Sequence, residues 1–117
     1  MKRSPEQLAR EDGRYSPGAI RFVYEGLGYT AKNVADEPRH VSGQVLCEGL
    51  RKLAIEKWGG LALLVLNTWG IKSTRDLGEI VWLMIEHEWM SAQPTDSIDD
   101  FDNVYDFKTA LKDQFEF

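Results

Sequence analysis

The chain has 117 residues and a formal net charge of −5 at pH 7, with 43% hydrophobic and 28% charged residues. This length predicts one domain that can bury a hydrophobic core without a metal or a disulfide, and the composition argues against wholesale disorder. The acidic balance disfavours binding that is dominated by nucleic-acid phosphates or by anionic membrane surfaces.

The cysteine content and the apolar segments bear on cellular location. Cys47 is the only cysteine, so no internal disulfide can form and nothing indicates an oxidising compartment. The basic start of the chain is not followed by an apolar segment, which argues against a signal peptide, and no stretch approaches the roughly 18 apolar residues of a spanning helix. We therefore expect a cytoplasmic protein without membrane association.

Three start signals predict helices in the first half of the chain. Ser4-Pro5 precedes a short helix that is expected to end before Gly13, Ser16-Pro17 precedes a longer helix, and Ser42 is expected to cap a third. Gly28 predicts either a break in the second helix or a close approach of another backbone. The apolar residues of that helix recur at helical spacing over almost four turns: Ile20, Val23, Tyr24, Leu27, Ala31 and Val34.

The stretch 61–85 is expected to organise the core. Its two apolar runs, 61–66 and 80–85, flank a polar turn. Because both runs are apolar on every side, we expect both to be buried on every side. The first run fits a buried strand or a buried helix by periodicity, and its alanine and leucines, together with the lack of a partner strand, favour a helix. Ser73 or Thr74 is expected to cap the last long helix.

The composition changes after Trp89. Residues 91–97 have the composition of a linker, and residues 99–107 interleave acidic with aromatic side chains. Such a segment has enough apolar groups to dock on a core and enough charge to stay soluble when undocked. We predict an all-α fold, a compact bundle of four to five helices. Residues 1–90 form the helical domain, and residues 91–117 form a linker and an acidic, aromatic C-terminal tail packed on the same domain.

No motif in the chain predicts a catalytic residue, a metal site or a cofactor. His40 and Cys47 lie seven residues apart, about 10 Å along a continuous helix, which is too far for one metal ion or for a base and its nucleophile. Cys47 is expected to be a small core residue. The neighbours Glu86-His87-Glu88 point away from one another on a helix, and the Asp-rich segment near residue 100 lacks the central glycine of a calcium loop.

Five short motifs are spread along the chain: Tyr15-Ser16-Pro17, His40-Val41-Ser42-Gly43, Trp69-Gly70-Ile71 with Ser73-Thr74, Gly78-Glu79-Ile80-Val81, and Tyr105-Asp106-Phe107. Together they resemble a family of small, uncharacterised bacterial proteins of about this length. The resemblance covers nearly the whole chain and implies a free-standing bacterial domain. It implies no activity and therefore no catalytic or binding residues.

The favoured functional hypothesis is a non-catalytic protein-protein interaction module, or a small subunit of a larger assembly, whose partner is itself or another protein. Aromatic side chains are good anchors at interfaces. The candidate anchors are Trp89, Phe101, Tyr105 and Phe107.

Two alternatives belong to other classes. The first is nucleic-acid binding through the 61–85 hairpin, in which Lys72 and Arg75 would face the nucleic acid. It requires a basic patch on one face, built from Arg14, Arg21, Lys32, Arg39, Arg51, Lys52, Lys57, Lys72 and Arg75. The second is a small-molecule enzyme, which requires a polar pocket that contains His40 or Cys47.

Overall fold

The computed structural model describes residues 4–34, 41–89 and 97–111 of the chain. These residues form an all-α fold without strands, as predicted. Helices α1 to α5 make up the bundle, and the one-turn helix α6 belongs to the C-terminal segment. The helices are α1 (Pro5–Asp12), α2 (Pro17–Asn33), α3 (Gly43–Trp58), α4 (Ala62–Thr68), α5 (Thr74–Glu86) and α6 (Phe107–Leu111), with short 3-10 helices at Gly59–Leu61 and Ile98–Phe101.

The predicted start signals lie at the helix N-termini. The Ser4 hydroxyl accepts a hydrogen bond from the Gln7 amide at 3.2 Å, and the Gln7 side chain accepts one from the Ser4 amide at 2.8 Å. The Ser42 hydroxyl accepts from the Val45 amide at 3.2 Å. Each of these bonds satisfies a backbone donor that the first turn of a helix leaves unpaired.

Helix α2 is continuous, so the break considered at Gly28 does not occur. No atom lies within 4 Å of a Cβ built at Gly28, and the close approach is instead made two residues earlier. Gly26 packs directly against the Leu50 side chain of α3, and Gly49 of α3 packs against Thr30 of α2. The absent side chains at Gly26 and Gly49 allow α2 and α3 to pack closely.

The expectation that both apolar runs are buried on every side is wrong for the first run and correct only in part for the second, where Trp82 and Ile85 are half-buried. Within 80–85, Ile80 and Met84 are fully buried. Within 61–66, Leu66 is buried, but Leu61 and Leu64 are 62% and 63% exposed. Helix α4 lies at the surface of the bundle and packs on α3 and α6 with one side, so an apolar run that continues around the helix places leucines in solvent.

The described part of the C-terminal segment, residues 97–111, packs on α3 and α5. The Phe101 ring packs between α3 and α5 against two glycines, Gly43 and Gly78. A Cβ atom at Gly78 would lie 2.6 Å from Phe101 Cγ, and one at Gly43 would lie 3.1 Å from its Cε2. Residues 91–96 of the predicted linker and 112–117 of the predicted tail lie outside the described residues.

None of the described helices has the combination of length and apolar character that crossing a bilayer requires.

Candidate functional site

Two of the four predicted anchor residues belong to the core. Phe101 is 3% exposed and Phe107 is 5% exposed. The edge of the Trp82 ring faces the Phe101 ring, with ring centroids 6.2 Å apart. An anchor must be accessible to its partner, and these two side chains are covered because the glycines of α3 and α5 open a slot for the segment that carries them.

The other two predicted anchors are half-buried and have partners within the chain. The Tyr105 hydroxyl donates a hydrogen bond to the Cys47 carbonyl oxygen at 2.7 Å, and burial raises the pKa of Tyr105 above its usual range. The Trp89 ring meets the Tyr24 ring edge to face, with centroids 5.3 Å apart. The structure therefore uses these four aromatic side chains mainly for internal packing.

Arg75, named for the nucleic-acid alternative, is surrounded by carboxylates. Its guanidinium contacts Asp99 at 2.9 Å, Asp102 at 3.0 Å and Glu79 at 3.2 Å, and these hydrogen bonds raise its pKa. Lys72 donates to the Asn67 carbonyl oxygen at 3.0 Å. A cation that already neutralises several carboxylates has little net charge to offer a phosphate.

The other basic residues named for that alternative are also mostly paired within the described residues. Arg39 lies outside the described residues, the side chains of Lys32 and Lys52 are exposed, and the pKa of Glu48 is lowered by its hydrogen bond with Arg51 and further by the charge of Lys52. Among the described residues, therefore, most of the cations on which nucleic-acid binding would depend already lie beside a carboxylate. The pairs are Arg14 with Asp12 and Glu79, Arg21 with Glu6, Arg51 with Glu48, and Lys57 with Glu25.

Cys47 is fully buried, as predicted. Burial raises the pKa of its thiol to about 12, so the reactive thiolate is scarce at neutral pH. His40 lies outside the described residues. Where the chain is described, no group of three or more His, Cys, Asp or Glu side chains converges as metal ligands.

A cleft of about 580 Å³ lies between the α4–α5 turn and the C-terminal segment. Its charged lining mixes cations with carboxylates, and Tyr105 directs its hydroxyl to a backbone carbonyl. Of its cations, Lys72 and Arg75 already have internal partners. The cleft is therefore a surface feature with a mixed polar and apolar lining and without a converging set of reactive groups. The charged lining residues are Lys72, Arg75, Asp102, Asp106 and Lys108.

The feature that the sequence reasoning missed is an exposed apolar surface on α4. We call it the α4 face and define it as Leu61, Leu64, Val65 and Thr68. Leu61 and Leu64 are largely exposed, Thr68 is exposed and Val65 is half-buried. These positions repeat at three- and four-residue intervals, so they lie along one side of the helix.

A signal for this surface is present in the sequence. Residues 58–71 contain no ionisable side chain, although charged residues make up 28% of the chain. The apolar character of residues 61–66 on every side predicts burial on all sides, whereas the lack of charge is equally compatible with an exposed apolar surface. A helix of two turns at the surface exposes some side of itself whatever its composition, and only the packing shows which one.

The turn after α4 holds this helix in place. The Trp69 carbonyl oxygen accepts a hydrogen bond from the Ser16 amide at 3.2 Å. A Cβ at Gly70, where φ is +94°, would lie 2.7 Å from the Arg14 carbonyl oxygen. The Asp76 carboxylate accepts from the Tyr15 hydroxyl at 2.6 Å. The first two contacts attach the end of α4 to the α1–α2 connection, and the third attaches the first turn of α5 to it, so the α4 face lies on an element that is held in place.

Comparison with protein-family models, with curated proteins and with solved structures finds no match to this chain.

Proposed function

We propose that this chain is a non-catalytic protein-protein interaction module and that the α4 face is its contact surface. The observation that carries the proposal is the exposure of Leu61 and Leu64, 62% and 63%, in the uncharged segment formed by α4 and the 3-10 helix before it. Removing apolar surface from water is favourable by about 25 cal/mol per Å². Binding of a partner that covers these side chains is favoured by this free energy, and it does not require the desolvation of a charged side chain on α4.

Two properties distinguish the α4 face from ordinary scattered surface leucines. Leu61 is the last residue of the 3-10 helix that leads into α4, and Leu64 follows it three residues later in α4, so the two exposed leucines are neighbours along one side of the segment. The half-buried Trp69 follows Thr68 at the C-terminal end of α4, and the half-buried Trp58 packs on it edge to face, with ring centroids 5.4 Å apart. Aromatic side chains beside an exposed aliphatic ridge are typical of the central part of an interface.

The proposal moves the interaction site away from the C-terminal aromatic residues. Phe101 and Phe107 would have to leave the core to contact a partner, at a cost of about 3–5 kcal/mol for each ring lost from the core. The α4 face requires no such rearrangement. Interfaces usually form with little backbone movement, which favours the surface that is already exposed.

The experiment is an affinity purification of the tagged chain from cells that also express the untagged chain, with Leu64→Glu as the test variant. Gln44→Glu is the matched control, because Gln44 is exposed on α3 and the substitution adds the same negative charge. Circular dichroism and thermal melting must first show that both variants are folded. We expect at least one protein, the untagged chain or another, to be recovered with wild type and Gln44→Glu and to be lost with Leu64→Glu.

Recovery of the same proteins in equal amount with both variants would overturn the α4 face as the contact surface. Recovery of no protein by the wild-type chain, together with a monomer mass for the purified chain at millimolar concentration, would overturn the interaction module itself.

A further inference from the structure

We propose that the α4 face binds the α4 face of a second copy of this chain, in a two-fold symmetric dimer with the two helices antiparallel. This inference rests on the proposed function and names its partner. It follows from the charge distribution of the chain and from the order of side chains along α4.

The charge distribution selects the surface through which two copies can meet. Each copy carries a formal net charge of −5, so two copies repel each other over most approaches. Of the described α-helices, α4 alone contains no ionisable residue. Contact through α4 places no carboxylate against another carboxylate at the centre of the interface.

The same property argues against a partner that is chosen by opposite charge. A basic partner would find no carboxylate on α4 to pair with, and the acidic side chains of the chain lie on other elements. The matching surface for the α4 face is another neutral, apolar ridge. The chain itself carries one, and two-fold contacts between identical surfaces are the commonest form of protein association.

The side-chain order along α4 is compatible with antiparallel pairing. With the two-fold axis between positions 64 and 65, Leu64 of one copy lies beside Val65 of the other. Leu61 then lies opposite Thr68 of the other copy, so a large side chain meets a small one. Large residues opposite small ones are what allows two helix surfaces to interdigitate.

The size of the surface predicts a weak, reversible dimer. Helix α4 has only seven residues, and stable interfaces bury at least about 1,000 Å² in total. The α4 face, even with Trp58 and Trp69 beside it, therefore supports association that increases with concentration. A chain with such a contact is monomeric when dilute and dimeric when concentrated or when held together in an assembly.

Sedimentation equilibrium from micromolar to millimolar concentration tests the dimer. The average mass of the wild-type chain is expected to rise from the 13.4 kDa of one chain towards twice that value. Leu64→Glu is expected to remain at the monomer mass, because it would place two carboxylates near the axis. Gln44→Glu is expected to follow the wild type.

Disulfide trapping tests the register. Cys47 is fully buried and its thiol is protonated at neutral pH, so an introduced cysteine is the only reactive one in the native chain. With oxidised glutathione, Leu64→Cys is expected to form cross-linked dimer at least tenfold faster than Gln44→Cys, because bridged cysteines need Cα atoms within about 7 Å. An equimolar mixture of Leu61→Cys and Thr68→Cys is expected to give mainly the mixed disulfide.

The outcomes separate this inference from the proposed function. A wild-type chain that stays at the monomer mass up to millimolar concentration, with Leu64→Cys no faster than Gln44→Cys, would overturn the dimer. If the affinity purification then still recovers another protein with the wild type and loses it with Leu64→Glu, the chain is an interaction module whose partner is not a second copy of itself. Equal amounts of same-site and mixed disulfides from Leu61→Cys and Thr68→Cys would overturn the antiparallel register.

Discussion

Gly49 is the position where the α2–α3 packing has the least space. A Cβ atom there would overlap the Thr30 side chain, with the Thr30 Cβ only 2.6 Å away. Thr30 is fully buried, and its hydroxyl donates to the Gly26 carbonyl oxygen at 2.7 Å. Because Thr30 cannot turn away without breaking this bond, the two helices would have to separate.

We therefore expect Gly49→Ala to lower the free energy of unfolding by about 1–3 kcal/mol, the usual cost of overpacking a core. Gly28→Ala is the matched control, since Gly28 lies within α2 with no atom within 4 Å of the added methyl group. It is expected to raise the free energy of unfolding by up to about 1 kcal/mol through helix propensity. Urea denaturation measures both, and a Gly49→Ala chain as stable as Gly28→Ala would contradict the packing described for α2 and α3.

At the scale of elements, the C-terminal segment is attached to α5 by one buried threonine. The Thr74 hydroxyl donates to the Phe101 carbonyl oxygen at 2.5 Å and accepts from the Val104 amide at 3.2 Å. Next to it, Arg75 contacts Asp99 and Asp102 of the same segment in solvent. The buried bonds should contribute more than the exposed ion pairs, because water and salt screen the latter.

Substitutions of Thr74 and Arg75 test whether the buried hydrogen bonds stabilise the segment more than the exposed ion pairs do. Thr74→Val keeps the shape of the side chain but leaves the Phe101 carbonyl and the Val104 amide without their partner, and we expect a loss of about 1–3 kcal/mol in the free energy of unfolding. Hydrogen exchange of the Val104 amide should become faster. Arg75→Gln is the control and is expected to cost less stability. A larger effect for Arg75→Gln would show that the ion pairs hold the segment.

The whole molecule is expected to lose stability at alkaline pH. Burial raises the pKa of Cys47 from its usual value near 9 to about 12, and burial also raises the pKa of Tyr105. At a pH between these two pKa values of Cys47, the thiol is deprotonated in the unfolded chain and still protonated in the folded chain. Stability is therefore complete below pH 9 and falls as pH rises, by about 1.4 kcal/mol per pH unit for one proton.

Urea denaturation at pH 8.5 and pH 10.5 measures this fall. The Cys47→Ala chain has no thiol to ionise, so its loss between the two pH values should be smaller than that of the wild type by about 2 kcal/mol. Tyr105 still contributes to the loss that remains. An equal loss in both chains would show that the buried thiol does not control the alkaline limit.

Much of the secondary structure could be predicted from local patterns. Ser4, Ser42 and Ser73 precede the helices that they were expected to start, because capping depends on residues within one turn of each other. The first apolar run is helical, as its leucines indicated: Leu61 ends a 3-10 helix and residues 62–66 belong to α4. The all-α class followed from these elements.

The sequence by itself thus determined which segments are helical and that Cys47 is a core residue. Only the tertiary structure decided which apolar side chains are covered. Phe101 is buried because Gly43 and Gly78, distant in sequence, open a slot for it, while Leu64 is exposed because nothing in the described part of the chain packs over it. The sequence shows that a side chain is apolar. Whether that side chain is buried depends on which other element packs against it, and that element comes from elsewhere in the chain.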